Sequence, residues 1–323
     1  MCTAISFKTK DHYFGRNLDL EYSYHEAVTV TPRNFSFHFR EAKTFQHHFA
    51  IIGMATIADD YPLYYDATNE YGLSMAGLNF PGNAVYHTPC ACKDNVTPFE
   101  FIPWILCQCK TVTQAMSLLE KINLIDLPFN ADYPLTPLHW ILSDKSQSIV
   151  IEPMEYGLNI INNPVGVLTN NPPFDYHMYN LCNYLNVSHN EPINRFSEKI
   201  ELIPYSRGMG SIGLPGDLTS SSRFIKAAFT KLNSFCKDDE NSSVSQFFHI
   251  LSSVEQQRGC VKIENAFEIT LYSSCCNTDK GIYYYTTYEN RQICAVSMHN
   301  CDLCGKQLTA FPISHNQNIC FIN

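Results

Sequence analysis

Cys2-Thr3-Ala4-Ile5-Ser6-Phe7 and Tyr13-Phe14-Gly15-Arg16-Asn17-Leu18-Asp19, separated by a Lys10-Asp11-His12 turn, are the stretch from which the fold is read. Both segments are short, apolar-rich and bounded by turn residues, so they predict two paired strands. The pairing sets Arg16, Asn17 and Asp19 on the strand beside Cys2. Asn17 falls on the opposite face from Arg16 and is assigned a structural role. An Arg and an Asp on a strand are ordinarily solvated. Beside a buried chain start they have another use, because an amine in a core needs an acidic partner and Asp19 can supply it.

Working outward, residues 28–30 and 49–54 continue the β pattern, and a meander is the simplest assembly. Residues 71–80 read as a buried strand closed by the Pro81-Gly82 turn. The period then turns helical from Thr97, an N-cap followed by Pro98 with Glu100 three residues on, and this run to Ile122 is expected to break at Pro103. Strands return at 138–150, with a hairpin at Asp144-Lys145-Ser146-Gln147, and at 166–170 before Asn171-Pro172-Pro173. Helices are predicted over 174–185, 220–235 and 244–254, and closing strands over 267–272, 281–287 and 292–296. Strands at both ends, helices between them and no alternating βαβ units predict an α+β fold of layered antiparallel sheets. No internal repeat or linker divides the chain, which reads as one domain over residues 2–323, with polar residues 182–211 as a projecting loop or arm.

The formal charge of −9 argues against a nucleic-acid or membrane-surface binder. With 45% hydrophobic and 16% charged residues, the chain can bury a sizeable core and is not disordered. Residues 1–8 carry no basic segment followed by an apolar stretch, so no secretory signal is legible and a cytoplasmic protein is expected. No window is apolar enough to predict a membrane span. In a reducing compartment most of the 14 cysteines are expected to be small buried hydrophobes, not bridges. Cys301-Asp302-Leu303-Cys304, near His299, is the one C-x-x-C pair, whereas a structural zinc site ordinarily needs two, so no metal is expected.

Cys2 is the most informative residue. Removal of Met1 would leave it with a free α-amine, and one residue would then carry both nucleophile and base. A thiol must lose its proton to attack an amide carbonyl, and an α-amine with a reference pKa of about 7.7 to 8.0 can accept it near neutrality. This is nucleophile activation by the chain's own terminus. A Cys at position 2 alone is weak support.

The surrounding blocks raise that support. Met1-Cys2-Thr3, Phe14-Gly15-Arg16-Asn17-Leu18-Asp19, Asp59-Asp60-Tyr61-Pro62, Gly77-Leu78-Asn79-Phe80-Pro81, Leu138-His139-Trp140, Gly166-Val167-Leu168-Thr169-Asn170, Gly213-Leu214-Pro215-Gly216-Asp217, Ser221-Ser222-Arg223-Phe224 and Gly281-Ile282-Tyr283-Tyr284-Tyr285 together resemble the choloylglycine hydrolase family, which contains bile salt hydrolases and penicillin V acylases. The resemblance implies an N-terminal nucleophile hydrolase, a four-layer αββα sandwich of two antiparallel sheets between helix layers, without a cofactor. It implies that Cys2 attacks and its amine relays the proton, and that Arg16 and Asp19 position amine and thiol. By the same resemblance Arg223 is a further active-site arginine, and Asn170 and Asn79 hold the oxyanion. A neutral amide aimed at developing negative charge is worth about 10² to 10³ in rate. Arg223 stands near a helix start, a poor place for a cation, which favours a functional reason for it.

The resemblance further implies an acyl pocket lined by Leu18, Tyr22, Ala58, Tyr65, Phe129, Tyr133, Thr136 and Leu138, apolar enough for a sterol body. Asn79, where penicillin V acylases often carry Tyr, points to conjugated bile salts as the small-molecule substrate, and relatives are commonly homotetramers. Penicillin V or a related N-acyl amide is the alternative substrate, and a non-catalytic amphipath-binding protein is the alternative from another class.

Overall fold

In the computed structural model, which describes residues 1–323, the first two strands form the predicted hairpin: β1 (Cys2–Lys8) pairs with β2 (His12–Leu20) with Cys2 opposite Leu18 and Ala4 opposite Arg16. Four strands follow, β3 (Ala27–Thr31), β4 (Ile51–Ala58), β5 (Tyr61–Asn69) and β6 (Ser74–Asn79). They form an antiparallel meander of their own, so residues 1–80 divide between two sheets instead of building one. Asp59 and Asp60, at φ 49° and 58°, make the two-residue turn between β4 and β5, a left-handed geometry that Asp tolerates.

Next come β7 (Asp94–Val96), α1 (Phe101–Leu106), α2 (Val112–Leu119) and β8 (Ile122–Leu124). Pro103 lies inside α1 and does not break it, because it occupies the first turn, where an N–H has no intrahelical partner. The helical run breaks later, and α2 restarts at Thr111, whose hydroxyl accepts the Gln114 N–H. Thr97 donates its hydroxyl to Glu100 Oε2 just ahead of α1. Strands β7 and β8 are parallel, the one parallel pair in the fold.

Three further antiparallel strands, β9 (Leu138–Ser143), β10 (Ser148–Met154) and β11 (Gly157–Asn162), precede the short β12 (Val167–Leu168). The helices α3 (Phe174–Leu181) and α4 (Ser220–Leu232) then bracket residues 182–211, an exposed segment with only short 3₁₀ turns, and α5 (Glu240–Ser252) follows. Helix α5 begins four residues before its predicted start because Asp239 caps it by accepting the Ser242 N–H. The chain closes with the small hairpin β13 (Lys262–Ile263) and β14 (Ala266–Phe267), then β15 (Ile269–Asn277), β16 (Ile282–Thr287), β17 (Cys294–Ser297) and β18 (Thr309–Pro312).

Six strands in the order β12-β1-β2-β15-β16-β17 form one sheet and eight in the order β11-β10-β9-β6-β5-β4-β3-β18 the other. Side-chain alternation explains the layering. On β10, Val150 joins the core shared with the six-stranded sheet, while Ile149 and Ile151 join the core under α1 and α2. Phe224, Ile225, Phe247 and Ile250 of α4 and α5 cover the outer face of the six-stranded sheet. The result is the expected αββα sandwich. All 14 cysteines are free, yet only Cys2, Cys107, Cys109, Cys275 and Cys276 are buried. Most therefore fall in loops or at element ends, against the expectation of a buried set.

Candidate active site

Strand alternation sorts the chain start into two faces. Cys2, Arg16 and Leu18 point between the sheets, while Thr3, Asn17 and Asp19 point toward the helices. Arg16 is almost wholly buried and crosses the gap between the sheets, donating to the carbonyls of Tyr65 at 3.1 Å and Gly77 at 2.5 Å. Burial opposes its charge, but the Cys2 thiol, Tyr272, Asp66 and Asp19 around it favour the cation and raise its pKa overall. Asp66, which the sequence reading did not select, is one of the buried groups that favour this cation, although burial raises its own pKa. That carboxylate accepts hydroxyls from Tyr272, Ser274 and Tyr283 at 2.8, 3.1 and 2.7 Å.

On the helix face, Arg223 of α4 donates to Cys2 O at 2.5 Å, Thr3 Oγ1 at 2.7 Å and Asn170 Oδ1 at 2.8 Å. Asn170 Oδ1 also accepts the Cys2 N–H at 2.8 Å, and its Nδ2 donates to Asn79 O at 2.8 Å. That leaves the second Nδ2 hydrogen of Asn170 uncommitted. Asp19 Oδ1 accepts the Thr270 hydroxyl at 2.6 Å, and its buried Oδ2 has no partner. Burial raises the Asp19 pKa despite the opposing pull of Arg223 and the terminal amine. The Met1 amine donates to Asp19 O at 2.8 Å and pairs with the Glu268 carboxylate. Glu268 is thus a second acid at the chain start. Its one sequence signal was an acid inside the apolar run Phe267-Glu268-Ile269.

The six candidate catalytic residues therefore converge. Cys2, Arg16 and Asn79 open onto a cavity of about 370 Å³ with 23 lining residues, 15 of them hydrophobic. Leu18, Tyr22, Tyr65, Phe129, Tyr133, Thr136 and Leu138 line this cavity, and Ala58 does not. Ala58 shares a strand face with Thr56, where Thr56 Oγ1 bonds to Tyr24 O and Tyr65 Oη and the two tyrosine rings take the wall. Leu20, Tyr24, Phe99 and Ile102 are lining residues the sequence reading missed, single apolar positions without a distinguishing signal. No three His, Cys, Asp or Glu side chains cluster as a metal site, Cys301 and Cys304 included.

A deeply placed N-terminal cysteine between two antiparallel sheets defines an N-terminal nucleophile hydrolase. The chain belongs to the choloylglycine hydrolase family of linear amide C–N hydrolases, which it matches over residues 2–316. It is 54% identical over 314 residues to a bile salt hydrolase/transferase of Lactiplantibacillus plantarum, covering 97% of both chains. Identity to the bile salt hydrolase/transferase of Clostridium perfringens is 38%, over the full length of both. A crystal structure of the C2A mutant conjugated bile acid hydrolase from Clostridium perfringens superposes with a TM-score of 0.92 at 38% identity, covering 100% of each chain. Penicillin V acylase from Agrobacterium tumefaciens shares the fold, with a TM-score of 0.75 at 17% identity over 96% of this chain and 90% of that one.

Proposed function

We propose that this chain hydrolyses the amide bond of glycine- or taurine-conjugated bile salts, with Cys2 as nucleophile after loss of Met1. The observation that carries the reading is the position of Cys2, at the meeting point of an apolar cavity and a cluster of buried polar groups. The thiol proton passes to the freed α-amine, and sulfur attacks the amide carbonyl carbon. Asp19 Oδ2, buried and unpartnered, is the acceptor that amine would gain. Asn170 Nδ2, with Asn79 beside it, faces the developing oxyanion. The ammonium returns its proton to the departing nitrogen as the C–N bond breaks, glycine or taurine leaves, and water then cleaves the thioester.

Arg16 sets a buried positive charge on the thiol side of Cys2. The aromatic and aliphatic walls suit a sterol body, and the bile salt names of full-length relatives support the same substrate. Glycocholate, taurocholate and penicillin V, each followed by detection of the released product, test the proposal. Release from the two bile salts above that from penicillin V is expected. No release from any of the three would leave an amphipath-binding protein.

Two coarser features belong to the same proposal. Leu185, Ile193, Phe196, Ile203 and Tyr205 are exposed on residues 182–211, which supports burial against further copies and a homotetramer, measurable by light scattering. The free thiols support a reducing, cytoplasmic location.

A further inference from the structure

Two buried histidines that the mechanism does not use hold two successive backbone carbonyls at the candidate oxyanion residue. His139 Nε2, on β9, lies 2.8 Å from Thr169 O, and His177 Nε2, on α3, lies 2.9 Å from Asn170 O. A carbonyl can only accept, so both rings carry a proton on Nε2. Both side chains are fully buried. His139 stacks on Phe80 at 4.2 Å, and His177 on Phe224 at 4.8 Å.

The surrounding bonds fix the same peptide from its other sides. The Asn170 N–H goes to Ser220 Oγ at 2.8 Å, and that hydroxyl donates to Thr169 Oγ1 at 3.0 Å. Glu152 Oε1 on β10 accepts the Phe174 N–H at 2.8 Å, tying β10 to the start of α3, and stands 3.5 Å from His139 Nδ1, which has no hydrogen-bond partner. His139, His177 and Ser220 thus all bond to the main chain of residues 169–170, and the Asn170 side-chain amide meets Cys2, Arg223 and Asn79.

We propose that His139 and His177 are positioning residues: by donating to the carbonyls of Thr169 and Asn170 they set the angle at which the Asn170 amide meets the oxyanion formed at Cys2. The inference rests on the oxyanion role of Asn170 proposed above. An oxyanion donor works within a few tenths of an ångström, and a misplacement of about 1 Å costs on the order of 10²-fold in rate. Two rigid aromatic donors on stacked rings hold a peptide plane more tightly than solvent could. Burial lowers the His177 pKa, which favours the neutral ring and agrees with the geometry.

The test compares His177→Phe, which keeps the stack on Phe224 and loses the N–H, with His177→Gln, which keeps a donor, and repeats the pair at His139. Turnover of glycocholate is measured beside Asn170→Ala. The Phe variants are expected to lose about tenfold or more in kcat with KM within about twofold, and the Gln variants to recover most of it. Unchanged kcat in the Phe variants beside a crippled Asn170→Ala overturns the positioning role and leaves the oxyanion reading standing. Gln variants as impaired as the Phe variants also overturn it. An active Asn170→Ala sinks the oxyanion reading and this inference together. Should a Phe variant fail to fold, His177→Met or His139→Met at the same position, which also lacks the donor, takes its place: a fall in kcat alone supports the positioning role, and wild-type kcat refutes it.

Discussion

Arg16 and Asp19 lie three residues apart and approach Cys2 from opposite faces of one strand, and the chemistry depends on that division. The cation stands on the thiol side, and the carboxylate stands on the helix side with the backbone nitrogen that becomes the amine. Cys2→Ala is expected to abolish turnover while leaving the melting temperature within a few degrees, because it removes one sulfur and little volume; residual activity near wild type would reject the nucleophile. Asn79 lines the cavity with its buried Oδ1 unpartnered, so it can meet substrate directly. Asn79→Tyr is expected to raise the penicillin V to glycocholate ratio of kcat/KM, and an unchanged ratio would remove Asn79 from substrate choice.

Among the elements, the β1–β2 hairpin carries the greatest structural burden. A Cβ on Gly15 would stand 2.0 Å from Ser274 O, so β2 and β15 approach as only glycine permits. Gly15→Ala is expected to cost about 1–3 kcal/mol or more by denaturant unfolding, through backbone displacement. At the start of β2, burial depresses the His12 pKa from 6.5 to about 4, against the pull of Asp279 and Asp144. Between those values the unfolded chain binds a proton that the folded chain refuses, so stability falls as pH drops from about 6.5 toward 4. The loss is up to about 3 kcal/mol at that site. His12→Gln should lessen the fall in unfolding free energy between pH 7 and pH 4.5; the same slope as wild type would contradict this.

The hairpin was legible because its short apolar segments, its turn and its charged residues all followed local rules. Pro103 was misread because the rule for helix interiors does not hold in the first turn. Asp66 and Glu268 were invisible, since their importance arises only when distant strands bring an arginine and the chain terminus to them.

At the scale of the whole molecule, two sheets enclose a core broken at one end by the cavity that Cys2 enters. The order of layers could be read from strands at both chain ends with helices between, but the division of the first eighty residues between sheets could not, because sheet membership is a long-range choice. Ala58 lies outside the cavity lining for a related reason: Tyr24 and Tyr65, which bond to Thr56 on the same strand face, take that part of the wall. Met1, whose amine bonds to Asp19 O and Glu268, holds in a peptide bond the Cys2 nitrogen that must become the working amine. The most direct measurement is therefore intact and peptide mass spectrometry of enzyme quenched during glycocholate turnover. Turning-over protein is predicted to lack Met1 and to carry the acyl group as a thioester on Cys2. Full activity with Met1 retained, or an acyl group on any other residue, would contradict the account.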